Sequence, residues 1–262
     1  PSDARINPTL DGAYAVTTEQ EVFPLWCDIS SDDKRVYEVK LRENLQWSEP
    51  YGQMTAEDWV YTIKNVFQGE ENWAGYVNAG DWKRGGEPIP VEKTGKYTFE
   101  IQLPEVDPAF PLKPVMWGQY TMPKALIEPY VEDKDAEGIK KDETINNLGY
   151  TGNLGPYSFE QWEREASFIA TRNEDYYMHD ANDVPGEWGN APYFDRFVYR
   201  VVPDVSTRLL ALQRGELTQT ELPESEAKSF ETNDSIRVVS APQPYLTVLN
   251  YNMRANGWRP FR

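Results

Sequence analysis

Cysteine and histidine are almost absent: Cys27 is the only thiol and His179 the only imidazole in 262 residues. One thiol closes no intramolecular disulfide and builds no cysteine-based metal cluster, and it leaves the redox compartment open. A zinc hydrolase or a Ser-His-Asp enzyme would have to be assembled around His179, whose neighbourhood, HDANDVPGEWGN, reads as a polar surface loop.

Basic residues are scarce too. Lys and Arg number 26 against 43 Asp and Glu, a formal net charge of -17. That balance excludes a phosphate backbone or an anionic lipid surface as the main partner. The acids are spread along the chain and not gathered in a tail, which reads as a solvated surface of the kind that stays soluble at high salt. Acidic binding sites are the alternative. No apolar run reaches the roughly 18 residues of a membrane span, and no basic-then-apolar leader is present. The chain opens on Pro1, so it reads as a processed or cut segment from which a signal or anchor has been removed.

What remains is plentiful ring and aliphatic surface. With 39% hydrophobic and 13% aromatic residues the chain has too much to bury to stay disordered, despite 26% charged residues. Its length fits one to two units of roughly 150 residues each. The segment VYEVKL (36–41) alternates Tyr37, Val39 and Leu41 with Glu38 and Lys40, the pattern of a half-buried strand. After a turn at SEPYGQ (48–53), Thr55 is placed to cap a helix whose first turn carries Glu57 and Asp58. Trp59, Ile63, Val66 and Phe67 then form one apolar stripe. KYTFEIQL (96–103) predicts a second strand stopped by Pro104, and DPAFPLKPV (107–115) an irregular connection.

Further on, Tyr157 to Trp162 and Ser167 to Thr171 predict a β-hairpin behind a Gly155-Pro156 turn. YFDRFVYRVV (193–202) alternates again. Ser206 is expected to cap a short helix carrying Leu209, Leu210 and Leu212, with Gly215 at its left-handed end. Strands are expected at SIRVVS (235–240) and YLTVLNYNM (245–253), so α/β order follows a first half made mostly of strands and loops.

Three segments together resemble the peptide-type solute-binding proteins of ABC importers. VYEVKLRENLQWSEPYGQMTAEDWVYTIKNVF (36–67) is similar to their "F-x-LR-x-x-x-x-W-x-x-G-x-x-x-TAxD" block, NLGPYSFEQWEREASFIATRNEDYY (153–177) to their "GTGPY…rNpxYw" block, and FDRFVYRVVPDVSTRLLALQRGEL (194–217) to their "vxxxixpdxxxrxxaLxxGexD" block. Their order and spacing carry the resemblance. Departures are the longer turn Ser48-Glu49-Pro50-Tyr51-Gly52 in place of an Asp-Gly turn, Leu154 in place of a threonine, and Thr218 in place of an acid.

The resemblance implies a mixed α/β fold: a periplasmic-binding-protein-like lobe of the peptide-binding type, with a main α/β subdomain, an inserted smaller strand-rich subdomain, and a second lobe missing. Residues 1–148 would form the smaller subdomain, roughly the first 20 belonging to the main one, and residues 149–262 the main subdomain. The Gly155-Pro156-Tyr157 turn would be the return connection, and Asn173, Tyr176 and Tyr177 would be structural, since Asn and Asp in loops satisfy backbone groups.

It also implies a receptor that closes two lobes round a solute and passes it to a permease. The strand matching VLNYN lines the cleft in that family, which nominates Asn250, Tyr251, Asn252 and Met253 as ligand-binding; read from the residues alone, Leu249 and Tyr251 are core alternation and Asn252 ends the strand. Tyr76, in NWAGYVNAG, matches a region that in some members sends an aromatic toward the ligand. The expected partners are a small solute, peptide or oligosaccharide, an ABC permease and its ATPase subunits. No catalytic residue, metal or cofactor is expected, nor any nucleic acid. A monomer outside the cytoplasm, anchored through a removed signal or lipid, completes the expectation, and the segment by itself should bind solute weakly. Metal chelates are a further ligand class. The rivals are a glycoside hydrolase built on Glu57 and Asp58 or on Glu163 and Glu165, and an adhesion domain without a cleft.

Overall fold

A computed structural model describes residues 8–16, 22–112, 120–179 and 192–240. They fall into two compact units, one reaching Val201 and one starting at Val202. In the first, β1 (Tyr14–Val16) and β2 (Val22–Pro24) pair antiparallel, and β3 (Cys27–Ser30) pairs antiparallel with β4 (Val36–Leu41). β4 buries Tyr37, Val39 and Leu41 and exposes Val36, Glu38 and Lys40, as its period-2 pattern demands.

Helix α1 (Ala56–Thr62) starts where Thr55 places it. The Thr55 hydroxyl accepts from the Glu57 N–H at 3.3 Å while Asp58 accepts from the Thr55 N–H at 2.9 Å, a reciprocal capping box. The helix then widens into a π turn, Ile63–Phe67, and Trp59, Ile63, Val66 and Phe67 are all buried. Seven α-helical residues are too few to persist by propensity, so the stripe holds them. Each such side chain contributes roughly 1.5–3 kcal/mol on burial.

β5 (Lys83–Arg84) and β6 (Glu87–Pro88) close a small hairpin over Gly85 and Gly86, whose φ values of 62° and 92° suit a primed turn. β7 (Val91–Lys93) and β8 (Thr98–Gln102) complete a four-stranded sheet in the order β3-β4-β8-β7. Tyr37 faces Ile101 and Val39 faces Phe99 across β4 and β8. Trp59 covers that face with its ring 5.6 Å from Phe99, and Trp26 meets Trp59 edge-on at 6.5 Å. The expected irregular connection begins with a 3₁₀ turn, Phe110–Leu112.

The first half departs from the strand-and-loop expectation in three helices: α2 (Lys124–Asp133), α3 (Ala136–Lys141) and α4 (Glu143–Asn146). Asp135 caps α3 and Asp142 caps α4, each accepting a backbone N–H at 2.8 Å. Only Leu126, Ile127 and Ile139 of these helices are buried, and Pro129 stands inside α2, so little apolar periodicity announces them.

The predicted hairpin is β9 (Tyr157–Glu163) and β10 (Ser167–Arg172), with Glu165 left-handed in its turn and a bulge at Ile169/Ala170. β11 (Arg196–Arg200) adds antiparallel to β10, giving the sheet order β11-β10-β9.

In the second unit α5 (Val205–Gln213) is capped by Asp204 and not by the expected Ser206. Asp204 accepts from both the N–H and the hydroxyl of Thr207 at 2.7 Å, and a carboxylate at that position outbids a serine already inside the first turn. Gly215 ends the helix with φ 70°, as its position predicts. Leu209 is buried and Leu210 exposed. A further helix, α6 (Glu224–Glu231), is followed by residues 235–240 without strand pairing, contrary to expectation. Among the described residues no strand lies beside them to pair with. The strand expected at 245–253 lies outside the described residues.

Candidate functional site

Residues 151–157 lie where four distant segments meet. The Asn153 side chain accepts from the Gln46 N–H at 2.7 Å and donates to the Asn44 carbonyl at 2.8 Å. Asn44 in turn donates to the Tyr177 carbonyl at 3.1 Å, and the Tyr177 N–H donates to the Asn153 carbonyl at 3.1 Å. Asn173 is buried and donates to the carbonyls of Gly152 and Gly155, both at 2.9 Å. Trp26 Nε1 donates to the Leu154 carbonyl at 3.2 Å, which also accepts the Asp11 N–H at 3.0 Å. Asn173 therefore satisfies backbone groups as anticipated, and the turn stitches residues 9–11, 44–48, 152–155 and 173–177 into one connection.

Asp11 and Arg42 lie close to the same junction; Arg42 is the arginine of the family's "LR" block, whereas Asp11 sits in no periodic pattern and no quoted motif. Asp11 Oδ2 accepts from the Tyr176 hydroxyl at 2.7 Å and the Tyr177 hydroxyl at 3.0 Å. As a residue it is half-buried. Burial pushes its pKa up to about 6, the two hydroxyls offsetting part of that rise. Burial and the Asp11 charge together hold both phenols well above the ordinary tyrosine range. Arg42 approaches from the end of β4 and donates to the Leu25 carbonyl at 2.6 Å.

Tyr76 is half-buried. Asn72 clamps its backbone, accepting its N–H at 2.9 Å and donating to its carbonyl at 3.0 Å. Its ring stacks on Phe67 at 4.3 Å and 20° and meets Tyr120 edge-on at 6.3 Å. The Tyr76 hydroxyl is buried without a hydrogen-bond partner, as is Trp82 Nε1; Asn78 and Trp82 lie beside the hydroxyl but outside bonding geometry. Burial pushes the phenol up to about 12. Asn250, Tyr251, Asn252 and Met253 lie outside the described residues.

The two carboxylate pairs are not arranged for acid-base work. Asp58 spends one oxygen on the Thr55 cap and the other on the Lys124 N–H at 2.9 Å. Glu57 pairs with Lys93 at 2.6 Å and Lys124 at 3.2 Å, which hold its carboxyl below the usual range, where a general acid needs it above. Glu163 and Glu165 are exposed at the hairpin tip. Among the described residues no group of histidine, cysteine or acidic side chains is placed to hold a metal ion, and no helix is long and apolar enough to cross a membrane.

The sequence profile of the bacterial extracellular solute-binding proteins, family 5 Middle, matches residues 26–262. The chain belongs to this family. A probable peptide ABC transporter periplasmic-binding protein, y4tO of Sinorhizobium fredii, is 29% identical over 191 residues, which is 71% of this chain and 32% of that protein. The oligopeptide-binding protein AppA of Bacillus subtilis is 21% identical over 214 residues, 80% of this chain and 34% of AppA. The chain thus spans about a third of the length of these family 5 relatives. Among solved structures, a putative peptide-binding protein AppA from Clostridium difficile superposes with a TM-score of 0.68 at 21% identity, covering 89% of this chain and 45% of its own. The mixed α/β fold of the family 5 chain is therefore that of part of a periplasmic peptide-binding protein.

Proposed function

We propose that the protein is the extracytoplasmic capture component of an ABC importer, and that its solute is an oligopeptide. The observation that carries this reading is the family match over residues 26–262, together with relatives named for peptide binding. The described residues supply a scaffold: a four-stranded and a three-stranded antiparallel sheet, two smaller strand pairs, and a turn fixed by side-chain amides. In this reading Asn250, Tyr251, Asn252 and Met253 bind an extended peptide through main-chain hydrogen bonds, and Tyr76 separately offers a ring to the solute, its own hydroxyl being turned inward. The receptor acts as a monomer, tethered to the outer face of the membrane, and delivers its peptide to a permease driven by ATPase subunits. Residues 1–148 and 149–262 would act as an inserted and a main subdomain.

A thermal-shift screen of the full gene product against a peptide library, an oligosaccharide panel and a set of metal chelates tests it. A peptide at a hundredfold excess over its dissociation constant stabilises the native state by about 2.7 kcal/mol. Response to peptides alone supports the proposal. Response to sugars or metal chelates alone would replace the solute class, and response to none of these would remove the transport reading.

A further inference from the structure

The turn that follows α6 carries the triplet Asn233-Asp234-Ser235. Asn-x-Ser/Thr with a middle residue other than proline is the acceptor pattern for asparagine-linked sugars, and it needs a surface loop in a chain that leaves the cytoplasm. In 262 residues this is the one triplet of that kind; Asn7-Pro8-Thr9 has the right ends but carries the excluded proline.

The local geometry suits an acceptor. α6 ends at Glu231, and two residues later the Asn233 N–H donates to the Phe230 carbonyl while its own carbonyl accepts the Ile236 N–H, both at 3.0 Å. The backbone is thus pinned on both sides. The Asn233 side chain accepts the Ser235 N–H through Oδ1 at 2.9 Å, closing an Asx turn. Because an N–H requires an acceptor, that bond settles which end of the amide is oxygen. Nδ2 is left uncommitted: among the described residues it makes no hydrogen bond. Asn233 is half-buried, and Asp234 and Ser235 are exposed.

We propose that Asn233 is a glycosylation site, modified through Nδ2, with the Ser235 hydroxyl as the second group that the transferase reads. The proposal rests on the extracytoplasmic placement given above and adds a covalent modification to it. The donor class is a sugar or oligosaccharide carried on a membrane lipid through a phosphate ester. In the transfer a bond forms between Nδ2 and the anomeric carbon and the anomeric carbon–oxygen bond breaks. The lipid phosphate leaves with the electron pair, and the amide gives up one proton to solvent. Nothing is oxidised or reduced. A side-chain amide is a weak nucleophile, so a membrane transferase supplies the activation and this chain supplies the acceptor.

Peptide mass spectrometry of the full gene product, purified from its native host, reads the site. The peptide containing Asn233 is expected to be heavier by whole sugar residues. That shift should vanish in Asn233→Gln and in Ser235→Ala and persist in Ser235→Thr. Ser235→Ala is the sharper variant, because the bond to Oδ1 comes from the backbone N–H and survives, so loss of the sugar is not loss of the turn. A parent peptide at its bare mass would overturn the proposal, as would a mass shift that survives Ser235→Ala. Cell fractionation of the same culture keeps this apart from the capture reading. An exported product with a bare Asn233 removes the glycan alone, whereas a product retained in the cytoplasm removes the placement and the glycan with it.

Discussion

Gly155 lies directly against Thr9: a Cβ at Gly155 would sit 2.2 Å from the Thr9 carbonyl oxygen and 2.7 Å from the Leu10 nitrogen. Both obstacles are backbone. The glycine of this turn is there because two chain segments pass within contact of each other.

Gly155→Ala should therefore destabilise the fold by about 3 kcal/mol or more, at the upper end of overpacking penalties, because no flexible side chain can move aside. Chemical denaturation with urea measures it, and a loss under about 1 kcal/mol would show that the junction yields. Gly80, where a Cβ meets nothing within 4 Å, supplies the control: Gly80→Ala should be close to neutral.

The capping box makes a graded prediction. Thr55→Ala removes one cap acceptor and should cost about 1 kcal/mol. Asp58→Ala should cost more, because Asp58 also accepts the Lys124 N–H that starts α2. Equal losses in the two variants would mean that the Lys124 contact contributes nothing.

Tyr76 separates the contribution of its ring from that of its hydroxyl. Its hydroxyl is buried without a partner, so Tyr76→Phe should leave the melting temperature unchanged or raise it. Tyr76→Ala should cost about 3–5 kcal/mol through loss of the Phe67 stack. A clear loss of stability in the phenylalanine variant would show that the hydroxyl is satisfied after all.

Ionic strength should stabilise this protein. The net charge of -17 opposes the compact state, and salt screens like-charge repulsion within about 10 Å at 0.1 M. Exposed pairs such as Lys134 with Glu70 weaken at the same time, yet such pairs are worth little. Melting temperature should climb from low to molar sodium chloride, and a flat or falling curve would discard the reading of the acids as an adaptation to salt.

What the sequence made legible was whatever its own periodicity encodes. β4, α1 with its cap, the β9-β10 hairpin and β11 each carry one apolar face, and each formed where its pattern lies. α2, α3 and α4 were not legible, because they bury three side chains between them, and α3 and α4 start on aspartate caps. The strand expected at 235–240 is unpaired among the described residues, and a strand needs a partner edge as well as a suitable composition. At the junction the Gly-Pro turn and Asn173 could be read from loop chemistry and Arg42 from the family block, whereas Asp11 could not. Its role depends on residues more than a hundred positions away, and no local pattern records that.

The bond from Trp26 to Leu154 spans 128 residues. At roughly 5–20 residues per second, a ribosome delivers Leu154 about 6–26 s after Trp26. Throughout that interval the indole that anchors the first sheet has no acceptor, and the N-terminal segment has nowhere to dock. The order of synthesis thus delays closure of the core until the turn at Leu154 has been made.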